Sequence, residues 1–271
     1  MTTILVTTDF SAGAHWATDY ALELARQLHT RLVVFHAYDP LPNVTPAQEW
    51  LTSTPETQYF LAMRPLSLLR DQMLAKTDGC VDISVVAQPG SPGAHLAEEA
   101  ASANADLLVM GVAGDEPKLA RELGSLATDL IPRTQVPMLL VPPGAVFQAP
   151  QNMVLAVDLA QPINALAMAT VMRFTKLLNV SLDVVCIDDE PTETQQKAAR
   201  HIRDLLLNQP HTFSFIPGFD VPLALDTYFE QHKADLICLL PKPHNKLRTY
   251  LLESVTQEVS RLATVPVLAA V

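Results

Sequence analysis

Short runs of β-branched and aliphatic residues alternate along this chain with longer stretches whose apolar positions recur every three or four residues. The first pattern predicts strands and the second predicts amphipathic helices. In the first half, strands fall at residues 3–7, 31–37, 81–86, 106–110 and 137–141, and helices at 14–28, 58–75, 92–103 and 125–132. Ala17, Ala21, Leu24, Ala25 and Leu28 mark the buried stripe of the first helix. Leu107-Leu108-Val109-Met110 has no polar alternation, the pattern of a parallel strand covered on both faces. Strand and helix in regular succession predict a doubly wound α/β layer.

The order then repeats. Ala105-Asp106-Leu107-Leu108-Val109-Met110-Gly111 aligns with Ala234-Asp235-Leu236-Ile237-Cys238-Leu239-Leu240 at a shift of 129 positions, and Val136-Pro137-Met138-Leu139 meets Val265-Pro266-Val267-Leu268 at the same shift. Ile4-Leu5-Val6-Thr7-Thr8-Asp9 matches Met153-Val154-Leu155-Ala156-Val157-Asp158 at 149, so the first copy holds about 20 extra residues. They belong between Tyr38 and Thr77, where Pro40, Pro42, Pro46 and Pro55 mark a long connection. Such a connection is either a solvated excursion or a lid or docking surface. Pro142-Pro143-Gly144 through Pro150 is the linker, which gives domains at 1–143 and 151–271.

Composition narrows the class. With 49% hydrophobic and 17% charged residues the chain is not disordered, and a net charge of −11 argues against a nucleic-acid partner. No apolar run approaches the roughly 20 residues of a membrane span. Met1-Thr2-Thr3-Ile4-Leu5-Val6 reads directly as a strand without a basic or cleavable leader, so a soluble cytoplasmic protein is expected. Cys80, Cys186 and Cys238 lie far apart; the last two sit in apolar runs and read as buried thiols. His95 and Glu99 stand one helical turn apart, too few ligands for a metal, and His36 reads as a hydrogen-bonded core histidine. No catalytic motif occurs, and no catalytic or metal-binding residue is expected.

Glycine is scarce and skewed. The chain has nine, against about 19 at the usual roughly 7%, and only Gly218 follows residue 145. Gly111-Val112-Ala113-Gly114, nine further residues and Gly124-Ser125 run from the end of the fourth strand to a helix start. Open α/β sheets bind ligands there, beyond the carboxyl ends of their strands. Gly111 and Gly114 allow a sugar or phosphate to approach the backbone, and Gly124 and Ser125 present N–H groups and a hydroxyl to an anion. Asp9, just past the first strand, lies near the same crevice if strands one and four are neighbours, and its carboxylate then suits ribose hydroxyls or a base amine. The plainer reading is that the glycines punctuate turns and Ser125 caps a helix.

Ile4-Leu5-Val6-Thr7-Thr8-Asp9-Phe10-Ser11, Ala105 through Gly111, the G-2x-G-9x-G-S pattern and Val136-Pro137-Met138-Leu139-Leu140-Val141 together resemble the universal stress protein family. The resemblance covers both halves, as in a tandem two-domain member. It implies, for each half, a five-stranded parallel sheet between helices, of the adenine nucleotide alpha hydrolase type. It also implies paired domains, either the two copies of one chain as a pseudo-dimer or two chains as a homodimer. ATP, with or without Mg²⁺, is the implied ligand. Carried over residue by residue, Thr8 and Asp9 lie beside adenosine, Ala37 near the base, Met110 and Gly111 at the ribose, and Gly114, Gly124, Ser125 and Leu126 around the phosphates.

Two departures stand out. Nucleotide-binding members often carry a second hydroxyl two residues after that serine, where this chain has Ala127, and Asp115 and Glu116 add negative charge that Lys118 and Arg121 offset. In the second copy the glycine positions are Leu240, Pro243 and Glu253, while Asp158 and Ser254-Val255-Thr256 persist. That half is expected to hold no nucleotide. The basic run Lys242 to Arg248 is either a solvated loop or a contact for an acidic group. The expected function is nucleotide binding in stress response or signalling, with a nucleotide-independent scaffold or a slow ATPase as alternatives.

Overall fold

The computed structural model describes residues 1–39, 54–114, 125–241 and 255–271. Within them the first half contributes β1 (Thr3–Thr7), α1 (Ala12–Leu28), β2 (Arg31–Tyr38), α2 (Pro55–Lys76), β3 (Ile83–Pro89), α3 (Pro92–Ser102), β4 (Leu107–Gly111), α4 (Leu126–Leu130) and β5 (Met138–Val141). The second half contributes β6 (Asn152–Ala156), α5 (Ala165–Leu178), β7 (Ser181–Ile187), α6 (Glu193–Leu205), β8 (His211–Ile216), α7 (Val221–Gln231), β9 (Leu236–Leu239), α8 (Val255–Leu262) and β10 (Val267–Ala269). The described strands form one sheet in the order β3-β2-β1-β4-β5-β10-β9-β6-β7-β8. Every pairing is parallel except β5 with β10, where Leu139 faces Leu268 across an antiparallel seam. The fold is therefore two tandem doubly wound α/β units, each a five-stranded parallel sheet between helices.

Alternation along the strands builds two cores. On β1, Ile4 and Val6 join α1, α2, α5 and α6 on one face, while Leu5 joins α3, α4, α7 and α8 on the other. Each core runs through both halves, so the seam is buried on both faces. Cys186 and Cys238 are buried thiols, and burial pushes both above the usual thiol value.

Strand register locates the repeat in space. Ile4 and Met153 face Leu107 and Leu236, which keeps the shift of 149 at β1 against 129 at β4. The shift is 150 at β2, where Ile4 faces Leu32 and Met153 faces Leu182, and 128 at β3, where these face Ile83 and His211. The extra length of the first half, 22 residues by this measure, thus lies between β2 and β3. Much of that stretch, with Pro40, Pro42 and Pro46, lies outside the described residues.

Two elements differ from the sequence pattern. β3 runs to Pro89 instead of ending near residue 86, because it stays paired with β2 as far as Tyr38. The helix expected at 125–132 is α4 followed by a 3-10 turn over Ile131–Arg133. Pro132 has no N–H to continue an α-helical ladder.

The repeated aspartate does the same work twice. Asp106 accepts the backbone N–H groups of Thr2 at 2.7 Å and Thr3 at 3.3 Å. Asp235 accepts those of Gln151 at 2.9 Å and Asn152 at 3.0 Å. Each carboxylate ties the start of its unit's first strand to the start of its fourth. Arg173, on α5 of the other half, also binds Asp106, at 3.2 Å.

Candidate functional site

β1 has β2 on one side and β4 on the other, so the strand order reverses at β1 and β4, and a crevice opens at their carboxyl ends. A cavity of about 150 Å³ lies there. Thr8, Asp9, Ala37, Met110, Gly111, Gly114, Ser125 and Leu126, all singled out from the sequence, line it. Gly124, with Asp115, Glu116, Lys118 and Arg121, lies outside the described residues. A cavity of this volume takes a flat ring system; the rest of a nucleotide would extend along the crevice.

The turn after β1 is held by its own side chains. Thr8 Oγ1 accepts the Phe10 N–H at 3.0 Å, and Asp9 Oδ1 accepts the Ser11 N–H at 3.0 Å. Phe10 sits in the left-handed region at φ 63°, a conformation these two bonds and its ring contact with His36 support. His36 is half-buried; its Nδ1 donates to the Thr8 carbonyl at 2.8 Å, which leaves Nε2 as the acceptor while the ring is neutral. Ser11 then caps α1, its hydroxyl accepting the Ala14 N–H at 3.2 Å. Ser11 and Ala14 line the cavity, so the first turn of α1 and its positive dipole end border it.

The glycines divide by cause. A methyl group at Gly13 would lie 1.4 Å from the Ala113 carbonyl oxygen, and one at Gly111 would lie 2.6 Å from the Gly13 carbonyl oxygen. These two let the start of α1 press against the end of β4. Among the described residues a methyl group at Gly114 would meet nothing closer than Asp9 Oδ2 at 3.6 Å, and the backbone there needs no left-handed conformation. Among the described residues neither packing nor a left-handed backbone demands glycine at 114, and the position lines the cavity beside Asp9.

Ser125 is more occupied than its sequence context suggests. Its hydroxyl accepts the Thr128 N–H at 3.4 Å and its own N–H donates to Thr128 Oγ1 at 3.0 Å, a reciprocal cap on α4. The Ser125 N–H therefore already has a partner. Ala127 is buried against the cavity wall and brings no hydroxyl. Among the described lining residues there is no lysine or arginine.

Ser11, Phe35 and Gly13 were missed as parts of the site. Ser11 had a signal, a cap residue directly before a helical pattern. Gly13 and Phe35 had none, since each matters through a neighbour remote in sequence. Of the His95–Glu99 pair, Glu99 is taken up by Gln88, whose amide donates to it at 2.7 Å.

In the second half the same strand ends, β6 and β9, border a larger cavity of about 460 Å³, with Asp158 and Leu240 in its lining. Pro243, Glu253, Ser254 and the run from Lys242 to Arg248 lie outside the described residues.

A model of the universal stress protein family matches residues 1–142. A universal stress protein from Archaeoglobus fulgidus aligns over 99% of this chain and 95% of its own, at 15% identity and a TM-score of 0.75. A functionally unknown protein from Pseudomonas aeruginosa aligns over 98% of this chain and 91% of its own, at 13% identity and a TM-score of 0.66. The cytoplasmic domain of a prokaryotic cation chloride cotransporter aligns over 100% and 95%, at 12% identity and a TM-score of 0.51. At such identities these likenesses concern the fold. No curated protein sequence matches the chain. Among the described residues no helix is long and apolar enough to cross a membrane.

Proposed function

The chain belongs to the universal stress protein family, and from that premise we propose that its N-terminal half binds ATP or a related adenine nucleotide, with or without Mg²⁺, in a cytoplasmic stress response or signal. The observation that carries this reading is the cavity at the switch point of the sheet, lined by Asp9 and by Gly114, where a side chain would take up space beside that carboxylate. The flat ring enters between Ala37 and Met110, Asp9 takes the ribose hydroxyls, and the polyphosphate runs past Gly114 towards Ser125 and Leu126. The C-terminal half, domain 151–271, holds no nucleotide and serves as the structural partner of domain 1–143, an intramolecular pseudo-dimer. The antiparallel pairing of β5 with β10 supports that partnership.

The test is nucleotide content. Acid extraction of freshly purified protein followed by chromatography should release about one adenine nucleotide per chain, and calorimetry should detect ATP binding that Gly114→Val abolishes. Absence of nucleotide together with no heat at millimolar ATP and Mg²⁺ would sink the reading. A second reading, a scaffold that works without nucleotide, is favoured by the engaged N–H of Ser125 and the lack of a described cationic side chain in the lining. Under it, both measurements come out blank in a fully folded protein.

A further inference from the structure

Two corresponding helices of the chain present opposite kinds of outer surface. α2 and α6 end at cap residues Thr77 and Leu206, 129 positions apart, the shift that relates β4 to β9. On α6 the line of residues turned away from the core is Glu193, Lys197, Arg200 and Asp204, all exposed and all charged. Glu193 and Lys197 pair along it at 2.7 Å. The same positions on α2 are Arg64, Leu68, Asp71 and Ala75, with Leu61 three residues before them.

α2 buries Ala62, Leu66, Leu69 and Met73 in one of the two cores. Leu61, Arg64, Leu68, Asp71 and Ala75 follow at steps of three and four residues, which places them in a line down the opposite side. Leu61 is 47% exposed and Leu68 58%, with Phe60 beside the line at 67%. Single exposed apolar side chains are ordinary on a surface. A series of them on the outer side of a helix is not, because an amphipathic helix carries its charges there. α2 has four large exposed apolar side chains, these three and Tyr59, and no other described element has more than two. The described chain resumes at residue 54, so Leu68 lies about 20 Å of helix beyond that point.

The charges on the line are placed end for end. Arg64 stands four residues before Leu68, and Asp71 three after it. Asp71 Oδ1 accepts both Nε and Nη2 of its neighbour Arg70, at 3.1 and 2.9 Å, while Oδ2 takes no bond among the described residues. The exposed Arg64 guanidinium has no carboxylate partner among the described residues. The edges of β5 and β10 are already paired with each other, so a second copy of the chain needs a different surface.

We propose that α2 is a self-association surface, on which a second copy of this chain packs its own α2 antiparallel about a two-fold axis near Leu68. A two-fold contact must be self-complementary, each patch meeting itself reversed. Reversal about Leu68 sets Leu68 on its mate and Leu61 beside Ala75 of the second copy. It also sets Arg64 beside Asp71 of the second copy, whose Oδ2 accepts a charge-assisted hydrogen bond from the guanidinium. The axis repeats every contact, so the ion pair and the Leu61–Ala75 contact each occur twice. α6 has no apolar residue on its line with which to do the same.

The test is the oligomeric state of the full chain, by sedimentation equilibrium from micromolar to sub-millimolar protein. The parent should approach twice the chain mass as concentration rises. Leu68→Glu should remain monomeric throughout. Arg64→Asp and Asp71→Arg should each raise the dissociation constant about ten-fold, because each reversal acts at both ends of the contact. The two reversals together should return it to near the parent value. A monomeric parent, a dimer that Leu68→Glu leaves intact, or single reversals that the paired exchange does not rescue would each overturn the proposal. Circular dichroism checks that each variant is folded, and the charge exchange decides the matter if Leu68→Glu is not.

Discussion

Replacing Gly13, Gly111 and Gly114 singly by alanine separates helix packing from ligand space. At Gly13 the new methyl group would sit 1.4 Å from the Ala113 carbonyl oxygen, so α1 or the strand end must move by about 2 Å to restore ordinary contact. Alanine in a helix gains up to about 1 kcal/mol over glycine, whereas overpacking against backbone costs about 1–3 kcal/mol or more. Because no side-chain rotation relieves a clash with backbone, the cost wins, and Gly13→Ala should destabilise by about 2 kcal/mol. At Gly111 the gap is 2.6 Å and the necessary shift smaller, giving about 1–2 kcal/mol. At Gly114 the nearest atom among the described residues is 3.6 Å away, and alanine should be neutral or stabilise slightly by restricting the unfolded chain. At roughly 2–4 °C per kcal/mol, thermal unfolding should place Gly13→Ala about 5 °C below the parent, Gly111→Ala between, and Gly114→Ala level with it. Nucleotide binding should show the opposite sensitivity at Gly114, where alanine weakens ATP and valine abolishes it. If Gly114→Ala melts as early as Gly111→Ala, or Gly114→Val binds ATP like the parent, the division of labour among the glycines is wrong.

Asp106→Asn should lower stability near neutral pH by about 1 kcal/mol, read as a urea midpoint shift, because it weakens the bonds to Thr2, Thr3 and Arg173. Although burial opposes it, the Thr2 and Thr3 N–H groups, the Thr2 hydroxyl and the N-terminal charge hold Asp106 below its ordinary 3.8. A depressed carboxylate stabilises above its unfolded value and loses that contribution as pH falls through the folded one, so the gap between parent and variant should shrink as pH falls below about 4; a gap that does not change with pH would place the effect elsewhere. Tyr228→Phe removes the hydroxyl that donates to buried Asp183 at 2.6 Å and should cost about 1–3 kcal/mol in the same assay; no loss would mean water replaces it. Ala127→Ser should raise ATP affinity several-fold by calorimetry while costing about 1 kcal/mol of stability for a buried hydroxyl; unchanged affinity would mean the phosphates do not reach α4.

The fold was legible because its elements are local and repeated. Strands such as Leu107–Gly111 announce themselves by unbroken aliphatic runs, and the shifts of 149 and 129 survive as strand register. Element ends were less legible because they depend on partners: β3 continues only because β2 does, and α4 stops where Pro132 cannot donate. The candidate site was legible in its outline, with Thr8 and Asp9 meeting Met110 and Gly111, which lie 102 positions further along the chain. Its hydrogen bonding was not. Nothing in the order of residues says that Thr128 satisfies the Ser125 N–H, or that Asp106 and Asp235 each bind a strand lying far earlier in the chain.

The skewed glycine count illustrates the same limit most sharply. Read along the chain, the passage from Gly111 to Leu240 is the loss of a residue that lets a ligand approach. In three dimensions Gly111 is small because Gly13 on α1 presses against it, and the second half has no such turn of helix to accommodate. Leucine at 240 therefore records the retreat of α5 more than the closing of a crevice, and the crevice it lines is the larger of the two. Among the described residues no close contact demands glycine at 114 or at 93, and of these two it is Gly114 that lines the first-half cavity. A count of glycines merges these two causes, and the distance from each missing methyl group to its nearest neighbour separates them.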